Sequence, residues 1–92
     1  MQMSSVDLIN LPVYTQSGQG LGRIVSFDLD VDSHLVVNYH VSTGLIKGLW
    51  HQRLLIHRSQ VIAINKEKIV VEDNVAKETA TNLKKVRLVA GN

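Results

Sequence analysis

Between residues 21 and 71 apolar and polar side chains alternate with a period of two, the spacing of a strand whose consecutive side chains point to opposite faces. Before that run, Leu11-Pro12-Val13-Tyr14-Thr15 predicts a short first strand, and Pro12, with no N–H to donate, belongs at its end or on a sheet edge. Gln16-Ser17-Gly18-Gln19-Gly20 follows as a tight turn whose two glycines take positive φ without a Cβ clash. In 21–31 the alternation places Leu21, Arg23, Val25, Phe27, Leu29 and Val31 on one face, with Gly22, Ile24, Ser26, Asp28, Asp30 and then Asp32 on the other. Phe27, Leu29 and Val31 are thereby predicted to enter a core while the aspartates face water. Asp32-Ser33-His34 reads as a turn, because short polar side chains bond the local backbone.

In 35–41 the pattern resumes, with Leu35, Val37, Tyr39 and Val41 on one face and Val36, Asn38 and His40 on the other. That second face is half apolar and calls for cover from a second layer or a subunit. Leu54-Leu55-Ile56 is a further strand, His57-Arg58-Ser59-Gln60 a turn, Val61-Ile62-Ala63-Ile64 a strand, and Asn65-Lys66-Glu67-Lys68 a polar hairpin connection into Ile69-Val70-Val71-Glu72. Six short strands spaced by about ten residues are the signature of a small barrel or sandwich, and a barrel is favoured because closure removes exposed edges. The predicted class is all-β, a small six-stranded barrel over 1–73.

Past Asp73 the character changes. Asp73 or Asn74 suits a helix cap, and Ala76, Ala80 and Leu83 fall on one helical face, which predicts a short helix of about 8–11 residues. Val86, Leu88 and Ala90 then alternate, as in an extended tail docked on its own barrel or on a neighbour. Residues 74–92 are predicted to form this appended helix and tail.

Ninety-two residues, 45% apolar and 20% charged, support one small core and no second one. The absence of cysteine excludes disulfides, thiolate metal sites and a cysteine nucleophile. The first residues carry neither a basic leader nor an apolar run of signal length, and no window approaches 18 uninterrupted apolar residues, which predicts a cytoplasmic protein with no transmembrane segment. Net charge is +2 but unevenly placed: residues 1–46 hold Arg23 against four aspartates, a balance of −3, and residues 47–92 hold nine Lys/Arg against four acids, a balance of +5. Such asymmetry steers an acidic partner toward one side.

The candidate chemistry is weak. A calcium loop begun at Asp28 needs glycine at its sixth position and glutamate at its twelfth, where the chain has Ser33 and Tyr39. His34, His40, His51 and His57 are separated by 6, 11 and 6 residues, which fits no familiar zinc finger. None of Ser26, Ser33, Ser42 and Ser59 sits in a nucleophile elbow, and Gly18-Gln19-Gly20-Leu21-Gly22 leads into a strand where a dinucleotide fingerprint leads into a helix. We therefore expect no catalytic residue, no metal and no cofactor. Nucleic acid has a better claim, since Lys47, Arg53, Arg58, Lys66, Lys68, Lys84, Lys85 and Arg87 are basic and Trp50 or Tyr39 is available to stack a base. Sharper still is 43–50, apolar yet bracketed by glycines, in which Leu45, Ile46, Leu49 and Trp50 form the candidate partner-binding set. A flap over the barrel end, a homodimer contact and a site for another protein all remain open for it.

Taken together, Leu11-Pro12-Val13, Ser17-Gly18-Gln19-Gly20, Leu21-Gly22-Arg23-Ile24, Asp30-Val31-Asp32 and the later QVIAINKEKIVVED resemble the PRC-barrel family over about residues 8–73. The resemblance implies a small six-stranded β-barrel and an adaptor role with no shared catalytic site. Relatives of that kind include the cytoplasmic part of the photosynthetic reaction-centre H subunit and the C-terminal domain of the ribosome-maturation factor that binds a small-subunit ribosomal protein; free-standing members are often dimers. The segment 43–52, with Trp50, departs from the family pattern. The expectation is a non-catalytic protein-binding module that self-associates as a homodimer and meets an unidentified protein partner; the alternative is an RNA- or ribosome-associated binding protein.

Overall fold

Strands form at all six places where the alternation predicts them. In the computed structural model, which describes residues 1–43 and 52–75, they are β1 (Pro12–Thr15), β2 (Gly20–Asp30), β3 (Leu35–Thr43), β4 (Gln52–His57), β5 (Val61–Ile64) and β6 (Ile69–Val71). One element was not expected: a four-residue helix, α1 (Ser5–Leu8), precedes β1. Ser4 starts it, its Oγ accepting the Asp7 N–H at 3.2 Å and donating to Asp7 Oδ2 at 3.0 Å, which satisfies a donor the helix start would leave orphaned.

The strands make one sheet in the order β4-β3-β2-β1-β6-β5. Neighbours are antiparallel except β1 and β6, which run parallel with Val13 opposite Ile69 and Thr15 opposite Val71. The predicted closed barrel is corrected at this point: β4 and β5 are the two edges of an open sheet. Their connection is a 3-10 turn, Arg58–Gln60, whose hydrogen bonds are used locally. The His57 N–H donates to Gln60 Oε1 at 3.0 Å, His57 Nδ1 accepts the Ser59 N–H at 3.1 Å, and the Gln60 carbonyl accepts the Glu72 N–H at 3.0 Å. The corner thus ties β5 to β6, and β4 keeps its bonds to β3.

Although open, the sheet curls around one interior, because every strand contributes to the same core. Val13 of β1, Leu21 and Ile24 of β2, Tyr39 and Val41 of β3, Leu54 and Ile56 of β4, and Ile69 and Val71 of β6 are buried together, with Val61 and Ile64 of β5 packed against them. Each fully buried aliphatic side chain contributes about 1.5–3 kcal/mol relative to exposure, and a flat sheet of this size would forgo much of that. Val75 is also fully buried there. Just before it, Asp73 Oδ1 accepts the Ser17 N–H at 2.9 Å, tying the end of the sheet to the β1–β2 turn. The predicted helix and tail lie beyond it, outside the described residues.

The simple alternation fails inside β2 and β3 because three β-bulges reset it. Val13 faces Gly22 and Tyr14 faces Gly20, so Leu21 is the extra residue; Ile24 faces Val41 and Ser26 faces His40, leaving Val25; Asp28 faces Asn38 and Leu29 faces Val36, leaving Val37. Leu21 and Ile24, three apart, are consequently both fully buried, while Arg23 is exposed. Val36, and not Leu35 or Val37, packs against the core. Leu29 and Val31, assigned above to the core, are 50% and 75% exposed, and Leu35 is 49% exposed. Gly22 makes the first bulge possible: its φ is 144°, and a Cβ there would run into the Ser42 carbonyl oxygen on β3.

Candidate interaction surface

The candidate set Leu45, Ile46, Leu49 and Trp50 lies outside the described residues, as does His51. The described residues present two other surfaces, both on the β2–β3 hairpin. Its tip is built by the acidic stretch Asp28-Leu29-Asp30-Val31-Asp32. Asp30 Oδ1 accepts the N–H of Asp32 at 2.9 Å and of Ser33 at 3.4 Å, its carbonyl accepts the His34 N–H at 2.8 Å, and His34 takes the left-handed conformation with φ 63°. A short carboxylate bonding its own backbone two and three residues on is what fixes such a turn. The aspartates are exposed, as the sequence predicts.

On the core side of this hairpin an apolar row leaves the interior. Tyr39 is buried, and desolvation pushes its phenol pKa up from the ordinary value. Its cross-strand neighbour Phe27 and the next pair, Val36 and Leu29, lie further out, and Val31 is at the turn. Phe27 and Val36 still pack on the core, whereas Leu29 and Val31 do not. With Tyr39 inside the core, its ring is not presented to a nucleobase.

The opposite face of the hairpin is polar. Asp28 Oδ2 lies 2.8 Å from His40 Nε2 and accepts from Asn38 Nδ2 at 3.2 Å. An ionised carboxylate only accepts, so the His40 Nε2 carries the proton. Chiefly through the hydrogen bond from His40, then that from Asn38, the Asp28 carboxyl is held below its ordinary value of 3.8. Next to this cluster the register sets Leu55, which is exposed, opposite His40, and His57 opposite Asn38. His57 serves the 3-10 turn as its cap, and His34 is in the hairpin turn. Among the described residues no three His, Asp or Glu side chains gather at metal-binding spacing.

The sequence signal for the Asp28–His40 contact is slight. An unbulged hairpin continuing from the Asp30–Leu35 pair would put Asp28 opposite Val37, and only the extra residue in β3 slides Asn38 into place, with His40 on the neighbouring diagonal. Of the basic residues, Arg53, Arg58, Lys66 and Lys68 are exposed, and Lys68 Nζ sits 5.9 Å from the ring centroid of Tyr14. Lys47, Lys84, Lys85 and Arg87 lie outside the described residues. Among the described residues no helix is long and apolar enough to cross a membrane.

No curated protein matches the sequence closely enough to count as a relative. The family profile of the PRC-barrel domain matches residues 1–77, a span that includes all six strands, the acidic hairpin and the buried Val75. A six-stranded, single-core β-sheet in this order of turns, matched by that profile over most of its length, makes the chain a member of the PRC-barrel family.

Proposed function

We propose that the protein is a non-catalytic adaptor: a β-barrel-like module that self-associates as a homodimer and offers its surface to another protein. The observation that carries this reading is the apolar surface left on an otherwise complete core. Leu29 and Val31 are exposed at the hairpin tip, Leu35 is exposed on its other face, and Leu55 and Ile62 are exposed on the two edge strands β4 and β5. Edge strands with unpaired backbone groups and exposed aliphatic side chains are the features by which sheets recruit further chains. PRC-barrel domains serve generally as protein-interaction modules, which supports the same reading.

Light scattering on the full chain across a concentration series tests self-association, with a dimer mass expected and a monomer mass at all concentrations against it. The Trp50→Ala variant extends the test to the candidate set: a folded monomer assigns Trp50 to the dimer seam, loss of folding assigns it to a flap over the barrel end, and unchanged fold and mass assign it to a site for another protein. Affinity purification from the source cells, read by mass spectrometry, identifies the protein partner, and recovery of self alone removes the adaptor half of the proposal.

A second reading, an RNA- or ribosome-associated protein, is favoured by one observation: exposed Arg53, Arg58, Lys66 and Lys68 with the exposed Tyr14 ring beneath Lys68. Fluorescence titration with single-stranded RNA at low salt decides it. Binding that weakens steeply with salt supports it, and no affinity eliminates it.

A further inference from the structure

We propose that His57 is a proton-operated latch: in its neutral form it holds shut the corner between β4 and β5, and taking up a proton opens that corner. The place matters because the chain passes there from one edge of the sheet to the other, through the three-residue turn Arg58–Gln60. The inference rests on the hydrogen bonds of the corner and is independent of the adaptor reading.

The chemistry follows from which atom of each pair carries the hydrogen. His57 Nδ1 lies 3.1 Å from the Ser59 backbone nitrogen and 2.8 Å from Ser59 Oγ, and the His57 side chain also accepts from the backbone of Gln60. A backbone N–H only donates, so Nδ1 presents its lone pair and the ring proton is on Nε2. The contact is reciprocal, since the His57 N–H donates to Gln60 Oε1 at 3.0 Å and closes a capping box around the turn. In the usual box the accepting side chain belongs to Ser, Thr, Asp or Asn, which accepts throughout the neutral range. An imidazole nitrogen accepts only while it is unprotonated. Once protonated, Nδ1 turns a hydrogen toward the Ser59 and Gln60 N–H groups, and of these three partners only Ser59 Oγ is able to accept it. The closed corner therefore belongs to the neutral ring: it is present at higher pH and lost as pH falls.

A second histidine on the same face responds in the opposite sense. His40 Nε2 donates to Asp28 Oδ2 at 2.8 Å, so a further proton on that ring strengthens its contact. The groups around His57 are few. Asn38 of β3 is directly across the ladder, His40 is one pair along opposite Leu55, and Asp28 lies beyond Asn38 on β2, already bonded to both. Arg53 of β4 and Arg58 of the turn are exposed cations, and Glu72, after β6, meets the corner through its N–H on the Gln60 carbonyl. β5 opens with the uncharged Val61 and Ile62.

Limited trypsin digestion of the full chain tests the latch, because the Arg58–Ser59 bond lies inside the turn and has to unwind to be cut. Cleavage at that bond is followed by mass spectrometry and divided, at each pH, by the rate for a peptide of the same residues 55–62, which cancels the protease's own pH dependence. The ratio is expected to rise about fivefold between about pH 8 and about pH 5.5, the effect of losing one helix cap. An unchanged ratio overturns the proposal. So does an equal rise at the Arg23–Ile24 bond of β2, which signals unfolding of the whole sheet. His57→Asn supplies an acceptor at every pH and is expected to keep the ratio low and level; a rise equal to that of the parent protein overturns the latch. His40→Asn is expected to retain the rise, and its disappearance there assigns the effect to the Asp28–His40 pair instead. Nitrogen NMR of the imidazoles is the independent readout: His57 is expected to carry its hydrogen on Nε2 at about pH 8, and a ring with the hydrogen on Nδ1 overturns the proposal.

Discussion

The base and the tip of the β2–β3 hairpin are made of similar side chains and have opposite fates. At the base, Ile24 and Val41 face one another and are fully buried; at the tip, Leu29 and Val36 face one another and Leu29 is half exposed. Both pairs are aliphatic and both sit on the core side of an antiparallel ladder. The difference is in what lies across the interior: the base is met by Val13, Ile56, Ile69 and Val71, and the tip projects past them. Hydrophobicity is a property of the residue, whereas burial depends on where the other strands end. An apolar pair that outruns its own sheet is surface that another chain is able to cover.

Breaking the base has the largest expected effect. Ile24→Ala leaves a cavity among side chains on four other strands and is expected to lower stability by about 3–4 kcal/mol in urea unfolding; a loss below about 1 kcal/mol contradicts the core assignment. Next is the bulge that aims Ile24 inward. Gly22→Ala forces a Cβ toward the Ser42 carbonyl at a φ of 144°, and a loss of about 3 kcal/mol is expected from the same measurement. The corner that leaves the sheet open is weaker: Gln60→Ala removes the acceptor for the His57 N–H and is expected to cost about 1 kcal/mol.

The matching substitution at the tip sharpens the contrast. Leu29→Ala in dilute protein, where no second copy is bound, is expected to change stability by less than about 0.5 kcal/mol. A loss as large as that of Ile24→Ala means that the tip is buried in the monomer. Smallest is the polar face. The folded-state pKa of Asp28 is depressed, so its contribution is present above the ordinary value of 3.8 and is lost as pH falls through the lowered one. His40→Ala removes the principal hydrogen bond, and the Asp28 titration followed by carboxyl-carbon NMR is expected to move up toward the ordinary value; an unmoved midpoint denies the contact.

Much of the architecture was legible in the chain. Alternation located six strands, Gly18 and the Asx-type residues located turns, and the order of these motifs pointed to the family that the profile match then showed. The exposure of the aspartates follows from the same alternation. Face assignment breaks down where a bulge intervenes: Ile24 and Val36 fall on the wrong side, and Leu29 and Val31 are assigned to a core that, among the described residues, does not reach them. The four-residue α1 and the His57 cap rest on single local hydrogen bonds, which leave no periodic trace. Of the candidate surface, the acidic hairpin was visible as a turn, and its apolar row was mistaken for core.

By itself the sequence determined which segments extend and which turn, because those choices depend on side-chain periodicity and on the backbone freedom of a few Gly, Asp, Asn and Ser residues. Tertiary structure decided which face looks inward, that β1 and β6 run parallel, that the sheet stays open between β4 and β5, and that the hairpin tip outruns the core. These depend on one extra residue in a ladder and on the ends of strands distant in sequence. A bulge reverses every side chain beyond it at the cost of a single unpaired residue, so the pattern before and after it reads the same while its meaning is inverted.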